Sequence, residues 1–415
     1  MRVVLLSEVY VKGMGYLENL MPKYLFRLGV ETHVVATDLP MSFRQNSGKR
    51  EYGDFAARNL AGSVETVDGY TLHILGHKRI FGQMRMAGLK EKLADLRPDI
   101  VQTMTPIGWI GLDAALYKQS LDYQLFTGCH YHASVLPLAQ KRTRVLSPEW
   151  LQCLAMRKTP GRWISLATKK CYAISQDCAD IAEKYFGVQR NKIAICPLGV
   201  DPELFYPVAD DRDSAARTAL RQQMGFAEDD VACIYTGRFS EEKNPLLLAK
   251  AVEQLVRSGA PYRGLFVGNG AQAEAISACE GCKTHPFVTV KELGAFFRAA
   301  DIGAWPAQES MSMLDAAACG LPIVANHTMT AKERLDGNGL AYCLNDLEDL
   351  VRVLLELRDA AKRVRMGETG ARKMKSEYSW ELIARQRLRD YEAALGSFAS
   401  FRETGRIWRR PRRGR

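Results

Sequence analysis

Short apolar runs alternate with amphipathic stretches through the first half of the chain. The apolar runs lack polar alternation, which is typical of parallel strands that are buried on both faces. Between them, stretches such as Leu17–Leu28 have helical periodicity, and Gly29 is placed to end that helix. Repeated strand and helix units predict a doubly wound parallel sheet. The predicted strands are Val3–Leu6, Thr32–Ala36, Ile100–Gln102, Gln124–Thr127 and Cys171–Ile174.

The same alternation restarts after Cys196–Val200 and predicts a second domain of the same class. Asn244 and Pro245 mark a helix start, with Asn244 as the N-cap and Pro245 in the first helical position. This helix is predicted to run to about Arg257. The predicted strands of the second domain are Val231–Thr236, Gly264–Val267, Asp301–Trp305 and Pro322–Ala325.

Two such domains leave a cleft between the carboxyl ends of their strands, where open parallel sheets bind ligands. We therefore expect an α/β protein with two doubly wound, Rossmann-like domains that face each other across a cleft. The pattern alone does not separate a transferase from a dehydrogenase or a binding protein. The polar stretch 40–60 interrupts the alternation and predicts a loop. The predicted boundaries are 1–197 and 198–378 for the two domains, 379–401 for a helix that returns to the first domain, and 402–415 for a basic tail.

The formal net charge of +10 is concentrated at the C-terminus. Residues 402–415 carry seven arginines and one glutamate, a net +6. Further basic clusters lie at 49–50, 77–79 and 141–144, all outside the predicted second domain. These charges are consistent with solvated surface, with binding to anionic lipid headgroups, or with binding to nucleic acid. Of the two partners, an anionic membrane surface is favoured and nucleic acid is disfavoured.

No apolar run is long enough to predict a membrane-spanning helix. The N-terminus reads as a first strand, because it is too short and too soon interrupted by Glu8 to be a signal peptide. We expect a cytoplasmic protein, with peripheral attachment at the inner membrane face as an open alternative. The ten cysteines are scattered and are expected to be reduced. Cys279 and Cys282, with His285 nearby, form half of a zinc site at best, so we expect no bound metal.

The segment Tyr235–Pro245 is the most informative for chemistry. A predicted strand ends at Gly237, and Arg238 and Lys243 then lie around a tight loop that leads into a helix. Two cations and free backbone amides that converge on one point favour a phosphate group. In the alternative interpretation, Lys243 is a surface residue and Arg238 pairs with a neighbouring glutamate.

The segment Glu309–Gly320 follows the predicted strand Asp301–Trp305. Ser310 is predicted to cap a short alanine-rich helix, which places Glu309 at the helix entrance and Asp315 about one turn inside. Carboxylates that face a cleft can accept hydrogen bonds from sugar and ribose hydroxyls. The alternatives are a solvated helix position for Asp315 and a favourable charge at a helix N-terminus for Glu309.

Five segments in order resemble glycosyltransferase family 4, whose members have the GT-B fold. The resemblance covers most of the chain. Three of the five matches lie in the second predicted domain: Gly237-Arg238 with Lys243, the Gly268-Asn269-Gly270 turn, and Asp315 to Ala325. The remaining two matches are a hinge signature from Ile174 to Pro207 and a C-terminal signature at Tyr378 to Glu381.

The resemblance implies a role for each matched residue. Arg238 and Lys243 would hold the donor diphosphate and stabilise charge on the leaving nucleotide. Asp315 would bind the ribose diol and Glu309 would approach the donor sugar. The family has seven residues between its two acids where this chain has five, so Asp315 aligns securely and Glu309 less so. Further residues that the resemblance places in donor binding are Gly268, Asn269, Val288 to Leu293, Ser310 and Met311.

The first half of the chain supplies two further matches, each in a segment that follows a predicted strand. Gly13 and Gly15 follow the first strand and resemble the family's glycine-rich turn, where the backbone approaches donor and acceptor closely. His130 resembles the family's histidine near the donor sugar, with His132 as the second choice. An ordinary turn and a packed loop histidine are the alternatives.

The family resemblance implies a retaining transferase that uses a UDP- or GDP-sugar as co-substrate and needs no metal. The first domain would bind a glycan, lipid-linked or small-molecule acceptor through a hydroxyl, and the second would bind the nucleotide sugar. Domain closure would assemble the site and exclude water. Two other hypotheses are a different GT-B enzyme, such as a sugar-nucleotide epimerase, and a non-enzymatic binding protein that uses its arginine-rich tail.

Overall fold

The structure is a computed structural model that describes residues 1–40, 59–133, 136–140, 147–329 and 334–407. The predicted loop at 40–60, the basic clusters at 49–50 and 141–144 and the end of the arginine-rich tail lie wholly or mostly outside these residues.

Strands and helices alternate along both halves of the described chain. The strands are β1 Arg2–Leu6, β2 Glu31–Thr37, β3 Val64–Val67, β4 Tyr70–Leu75, β5 His77–Ile80, β6 Gln83–Met86, β7 Ile100–Thr103, β8 Gln124–Cys129, β9 Thr168–Ala173, β10 Ile193–Ile195, β11 Val231–Thr236, β12 Tyr262–Val267, β13 Cys282–His285, β14 Ile302–Trp305, β15 Ile323–Asn326 and β16 Gly339–Tyr342. The α-helices are α1 Leu17–Arg27, α2 Leu89–Leu96, α3 Gly108–Leu121, α4 Pro137–Gln140, α5 Pro148–Cys153, α6 Thr159–Ala167, α7 Gln176–Lys184, α8 Asp211–Met224, α9 Pro245–Arg257, α10 Ala273–Ala278, α11 Val290–Ala299, α12 Ser312–Ala318, α13 Leu347–Glu356, α14 Ala360–Glu377 and α15 Trp380–Ile407.

The first sheet has the strand order β10-β9-β8-β7-β1-β2-β4-β3. All neighbours are parallel except β3 and β4, which form an antiparallel pair at one edge. Helices cover both faces, and the central strands are buried throughout, as their continuous apolar runs predict. Chain order reverses between β1 and β7, so loops after these two strands open onto the same crevice.

The second sheet has the order β13-β12-β11-β14-β15-β16 and is parallel throughout. This is a doubly wound arrangement in which chain order reverses between β11 and β14. The predicted strand β11 and helix α9 have the predicted bounds. Asn244 does not cap α9 as predicted, because it adopts a left-handed conformation (φ 48°) and makes no capping hydrogen bond with its side chain.

Helix α15 packs on the first domain after the chain has completed the second sheet. Trp380 is fully buried in the first domain's core, and the Asp390 carboxylate accepts hydrogen bonds from Lys170 (2.7 Å) and Tyr172 (3.0 Å). Between the domains, the buried Asp201 carboxylate accepts from Lys23 (2.6 Å) and Tyr24 (2.8 Å) on α1. Charged and aromatic groups therefore tie the interdomain linker to the first domain.

Among the described helices, none combines the length and the apolar character that a bilayer crossing requires. All ten cysteines are free, and nine of them are buried. The thiols of Cys279 and Cys282 donate to the carbonyls of Ala275 and Ala249, so they contribute to packing within the second domain.

Candidate active site

A cavity of about 300 Å³ opens where chain order reverses in the second sheet. Its walls come from the loops after β11 and β14, from the start of α11 and α12, and from the turn after β1. Such reversal points are where doubly wound sheets bind ligands. The lining residues are Met14, Gly15, Tyr16, Thr236, Gly237, Arg238, Lys243, Val267, Phe287, Val288, Val290, Leu293, Glu309, Ser310, Met311, Ser312 and Asp315.

The two cations predicted to bind phosphate both line this cavity. Lys243 Nζ donates to the main-chain carbonyl of Glu309 at 3.0 Å, which joins the loops after β11 and β14. Burial and the nearby positive charge of Arg238 lower the pKa of Lys243 to about 8. Both effects disfavour the charged ammonium, and an anion bound between the two cations would relieve them.

The loop that carries Arg238 is shaped by close backbone contacts from its neighbour. Gly237 has a φ of 141°, a backbone conformation that residues with a side chain rarely adopt. A Cβ on Gly268 would lie 1.8 Å from the Gly237 carbonyl oxygen. The Asn269 carbonyl accepts from the Phe239 amide at 2.8 Å. Gly268 and Asn269 are therefore placed behind the Gly237–Phe239 loop, where they set its shape without lining the cavity.

The acidic segment borders the same cavity and touches Lys243 through the Glu309 carbonyl. Helix α12 begins at Ser312 with Met311 as its N-cap, one residue later than the predicted cap, although the Ser310 hydroxyl still accepts from the Ser312 amide at 3.3 Å. Arg334 donates to the Ser310 carbonyl at 3.1 Å. Asp315 lies in the first turn of α12, and burial together with the charge of Asp201 raises its pKa well above the usual range.

The turn after β1 belongs to the first domain but completes the cavity. The Gly13 carbonyl accepts from the Val290 amide at 2.8 Å, at the start of α11. A Cβ on Gly15 would lie 2.8 Å from Val290 Cγ2. Both predicted glycines thus lie where the two domains touch, and Gly15 also lines the cavity.

A second cavity of about 350 Å³ lies where chain order reverses in the first sheet. Tyr16 lines both cavities, so they adjoin. Burial and the charge of Arg387 lower the pKa of His130 to about 3, so its imidazole is neutral at physiological pH. The residues that line this cavity are Ser7, Glu8, Val9, Val11, Tyr16, Glu18, Met104, Thr105, His130 and Tyr131.

His132, the second choice after His130, is hydrogen-bonded to Asp177. Its Nδ1 lies 3.1 Å from an Asp177 oxygen. Burial opposes the charge, but the hydrogen bond to Asp177 raises the pKa of His132 to about 10. His132, Asp177 and Cys178 each have a side-chain atom that could bind a metal, and these atoms lie within 4.8 Å of one another. The Asp177 carboxylate also accepts hydrogen bonds from the Ser175 hydroxyl and the Ala133 amide. This group holds the loop after β8 against α7.

Nine of the thirteen predicted site residues line the first cavity, and His130 lines the second. Sequence reasoning missed Tyr16, Thr236 and Phe287. Thr236 is the last residue of β11, and its buried hydroxyl has no hydrogen-bond partner among the described residues. Its position at the carboxyl end of a parallel strand was a usable signal. Tyr16 was hidden because its role depends on how the two domains meet.

Comparison with known proteins agrees with this architecture. Residues 20–204 match the family described as Glycosyltransferase Family 4, and residues 230–359 match Glycosyl transferases group 1. One curated relative is the D-inositol 3-phosphate glycosyltransferase of Xylanimonas cellulosilytica, at 30% identity over 55% of this chain and 58% of that protein. Another is a GDP-mannose-dependent phosphatidylinositol monomannoside mannosyltransferase of Corynebacterium glutamicum, at 29% identity over 45% of this chain and 52% of that protein.

These alignments span only about half the length of each curated relative. Among solved structures, the Anabaena protein HepE in complex with UDP superposes with a TM-score of 0.67. That match covers 95% of this chain and 100% of HepE at 16% identity, so it concerns the fold alone. From the two family matches and the paired Rossmann-like sheets, the chain belongs to the family 4 glycosyltransferases and has their GT-B fold.

Proposed function

We propose that the protein is a retaining glycosyltransferase that moves a sugar from a nucleotide-diphosphate donor to an acceptor hydroxyl. The observation that carries this proposal is the pairing of Arg238 and Lys243 in one cavity with Asp315. Two cations and an acid at the reversal point of a doubly wound sheet suit a nucleoside diphosphate. HepE has the same fold and was solved with UDP, which supports a nucleotide ligand.

The cavity offers a distinct partner for each part of such a donor. Arg238 and Lys243 would bind the diphosphate, and Asp315 would accept hydrogen bonds from the ribose hydroxyls. Val288 and Leu293 would pack against the base, while Glu309 would approach the sugar. A UDP- or GDP-sugar fits this division, and the residues present do not call for a metal to hold the phosphates.

Transfer would use the two cations as electrophilic support. The bond between the anomeric carbon and the phosphate oxygen breaks while Arg238 and Lys243 stabilise the charge on the leaving diphosphate. The acceptor oxygen attacks the anomeric carbon from the leaving-group face, and its proton passes to the departing phosphate oxygen. The new bond therefore keeps the donor's anomeric configuration.

The second cavity would receive the acceptor. It adjoins the donor cavity through Tyr16, and its neutral His130 would face the donor sugar. Because His130 stays uncharged, it can exchange hydrogen bonds with hydroxyl groups without competing for the diphosphate. A glycan, a lipid-linked sugar or a small polyol would suit such a cavity. The mannosyltransferase relative acts on a phosphatidylinositol mannoside, which supports the lipid-linked class.

Substitution of the two cations tests the proposal. Arg238→Ala and Lys243→Ala are each expected to reduce kcat/KM by about 100-fold or more, because a phosphate-directed cation in a closed site contributes several kcal/mol. The exposed Lys250→Ala on α9, the helix that follows the loop of the two cations, is the matched control and is expected to retain full turnover. Donors would be found by thermal-shift screening of nucleotide sugars, and products would be identified by mass spectrometry.

Two outcomes would contradict the proposal. Unchanged turnover in both Arg238→Ala and Lys243→Ala would remove the cations from the reaction. A product screen in which the sugar nucleotide changes stereochemistry without release of nucleotide would show an epimerase. The anomeric configuration of the product, read by nuclear magnetic resonance, separates retention from inversion.

A further inference from the structure

A row of large apolar side chains is exposed along the helical stretch 148–167. This stretch comprises α5, the π-helical turn Leu154–Lys158 and α6. Single exposed hydrophobic residues are ordinary, whereas several on one face of an element mark an interaction surface. The exposed side chains are Leu151 (47%), Met156 (40%), Trp163 (65%) and Leu166 (62%).

The π-helical turn brings these four residues into line. Residues three or four apart share a face of an α-helix, whereas a π-turn aligns residues five apart. Leu151 and Met156 are five apart across the π-turn. Trp163 follows Met156 by two turns, and Leu166 follows Trp163 by three residues. The row therefore continues along one side of the stretch.

The opposite side of the stretch is fixed to the first domain. Ile164 and Ser165 are buried, and a Cβ on Gly161 would lie 1.9 Å from the Phe186 carbonyl oxygen. Such close backbone packing leaves no room for the helix to rotate about its axis. The apolar row therefore stays at the surface in this fold.

Basic residues flank the row. Arg157, Lys158, Arg162 and Lys169 lie on or directly after the stretch, and within the described part of the chain none of the four forms a salt bridge. Lys192 adds positive charge at the Leu166 end, where its ammonium donates to the carbonyls of Ser165 (2.6 Å) and Leu166 (3.1 Å).

We propose that this side of the stretch docks on an anionic lipid bilayer. Apolar side chains beside lysine and arginine are the composition of helices that lie in the headgroup region, with the apolar groups inserted and the cations on lipid phosphates. The residues that define this apolar-basic face are Leu151, Met156, Arg157, Lys158, Arg162, Trp163, Leu166 and Lys169.

A second copy of the chain is a poorer occupant of the apolar-basic face. A two-fold dimer through this face would bring its unpaired cations against identical cations of the other copy, which costs free energy at close range. The inference rests on the proposed function only for its biological reason, because docking on a bilayer would bring the enzyme to a lipid-linked acceptor. Its test needs no turnover, so either proposal can fail alone.

Vesicle co-sedimentation of the full chain tests this docking. The wild type is expected to partition onto vesicles of phosphatidylcholine mixed with phosphatidylglycerol and only weakly onto phosphatidylcholine alone. Trp163→Ser with Leu166→Ser is expected to lower partitioning about tenfold or more, as the apolar area inserted falls. Arg157→Glu with Lys158→Glu and Arg162→Glu is expected to lower it by about 100-fold, at roughly a fivefold factor per lost cation.

Matched controls separate this face from general surface properties. Val364→Ser removes another exposed apolar side chain, and Lys184→Glu reverses an exposed charge elsewhere on the first domain. Both are expected to bind vesicles like the wild type. Trp163→Phe is expected to bind normally but to lose the blue shift of tryptophan fluorescence on vesicle addition, which reports insertion. Circular dichroism checks that every variant is folded.

Several results would overturn the inference. Equal partitioning of the wild type onto neutral and anionic vesicles would exclude the electrostatic part. Vesicle binding that survives both face variants but is lost on deletion of 402–415 would assign it to the tail. Light scattering that shows a dimer abolished by Trp163→Ser with Leu166→Ser, without vesicle binding, would assign the face to a second copy. Binding of RNA or DNA in place of vesicles would also reject a bilayer.

Discussion

Burial disfavours the charged forms of Lys243 and Asp315 in the proposed donor cavity. It lowers the pKa of Lys243, and it raises the pKa of Asp315. Each group is held in surroundings that disfavour its charged form, and charging it there carries an electrostatic cost. A nucleoside diphosphate would offset this cost, because its phosphates pair with the ammonium and its hydroxyls can donate to the carboxyl group.

If the cavity binds a nucleotide diphosphate as proposed, the pKa of Lys243 predicts that this binding depends on pH. With a pKa of about 8, the ammonium is charged below pH 8 and becomes neutral above it. A diphosphate binds the charged form, so the KM for the donor is expected to rise as the pH rises through 8, while binding at pH 6 to 7 stays constant. Steady-state kinetics across this range measure the effect.

Lys243→Arg is the control for the pH dependence, because guanidinium stays charged at every pH in the range. Its donor KM is expected to be nearly flat between pH 7 and 9, even if turnover is lower. An identical rise in KM with pH for Lys243→Arg would assign the titration to another group.

Asp315→Asn is expected to raise stability and weaken donor binding together. The folded-state pKa of Asp315 lies above its unfolded value, so the folded form binds more protons between the two values and stability falls as the pH rises through that window. The amide removes this cost. Thermal unfolding should therefore show a higher Tm for the variant at pH 7 and a smaller difference near pH 4.

The donor KM of Asp315→Asn is expected to rise, because an amide donates as well as accepts and suits the ribose diol less well. As the matched control, Glu368→Gln removes an exposed carboxylate of α14 that does not line the cavity, and it should change neither quantity. A lower Tm at pH 7 would show that the carboxylate has a stabilising partner in the fold.

At the scale of elements, the central strands of both sheets were predictable and the outer strands were not. Strands such as β11 are uninterrupted apolar runs, and their bounds follow from the pattern. Most of the missed strands are short and partly exposed, which weakens their apolar pattern. They are β3, β4 and β10 of the first sheet, β13 and β16 at the edges of the second, and the β5–β6 hairpin. The bounds of α9 were right and Pro245 takes the predicted first helical position, but the Asn244 side chain does not cap the helix. Instead, the Gln272 side chain accepts a hydrogen bond from the Leu246 amide at 3.3 Å.

The site was predictable where it depends on strand ends and less so where it depends on how loops and domains meet. Arg238, Lys243 and Asp315 follow parallel strands that the pattern located, so their convergence could be expected. Gly268 and Asn269 instead support the neighbouring loop from behind. The contribution of Tyr16 to both cavities requires the arrangement of two domains, which no local pattern contains.

Gly268→Ala is expected to disturb the donor cavity through the loop behind it. The new Cβ would meet the Gly237 carbonyl oxygen at 1.8 Å, and the backbone φ of 154° is itself unfavourable for alanine. The Gly237–Phe239 loop must move, so donor KM should rise at least about tenfold with a stability loss of about 1–3 kcal/mol. Kinetics and denaturant unfolding measure the two effects.

Gly259→Ala separates backbone strain from the clash. Gly259 also has a positive φ (82°), but no atom lies within 4 Å of its Cβ position. It is expected to lose about 1 kcal/mol of stability and to keep its donor KM. Equal donor KM values for the two variants would show that the position of Gly268 does not govern the cavity.

At the scale of the whole molecule, the two reversal points face each other. The turn after β1 touches the start of α11 through Gly13 and Val290, so the donor cavity is completed by the other domain. Movement of one domain relative to the other would therefore open or close the cavity. The linker that joins them is tied to α1 by the ion pairs of Asp201 and Glu203.

The two ion pairs at this linker are expected to differ sharply in their contribution to stability. Asp201 is fully buried beside Lys23, whereas Arg27 and Glu203 are 43% and 53% exposed. Lys23→Met leaves a buried carboxylate without its cation and should cost about 3–5 kcal/mol, although Tyr24 still donates to it. Arg27→Met keeps the apolar stem and should cost about 0–1 kcal/mol, since solvent screens an exposed pair.

Denaturant unfolding of both variants measures this difference, with fluorescence and circular dichroism compared because two domains need not unfold together. If Lys23→Met were no less stable than Arg27→Met, the buried pair would not hold the linker. The double variant Lys23→Met with Asp201→Asn provides the final check, because the amide keeps the hydrogen bond from Tyr24 while no charge stays buried. It should recover much of the lost stability, which would assign the cost to the unpaired carboxylate and not to lost packing of the lysine stem.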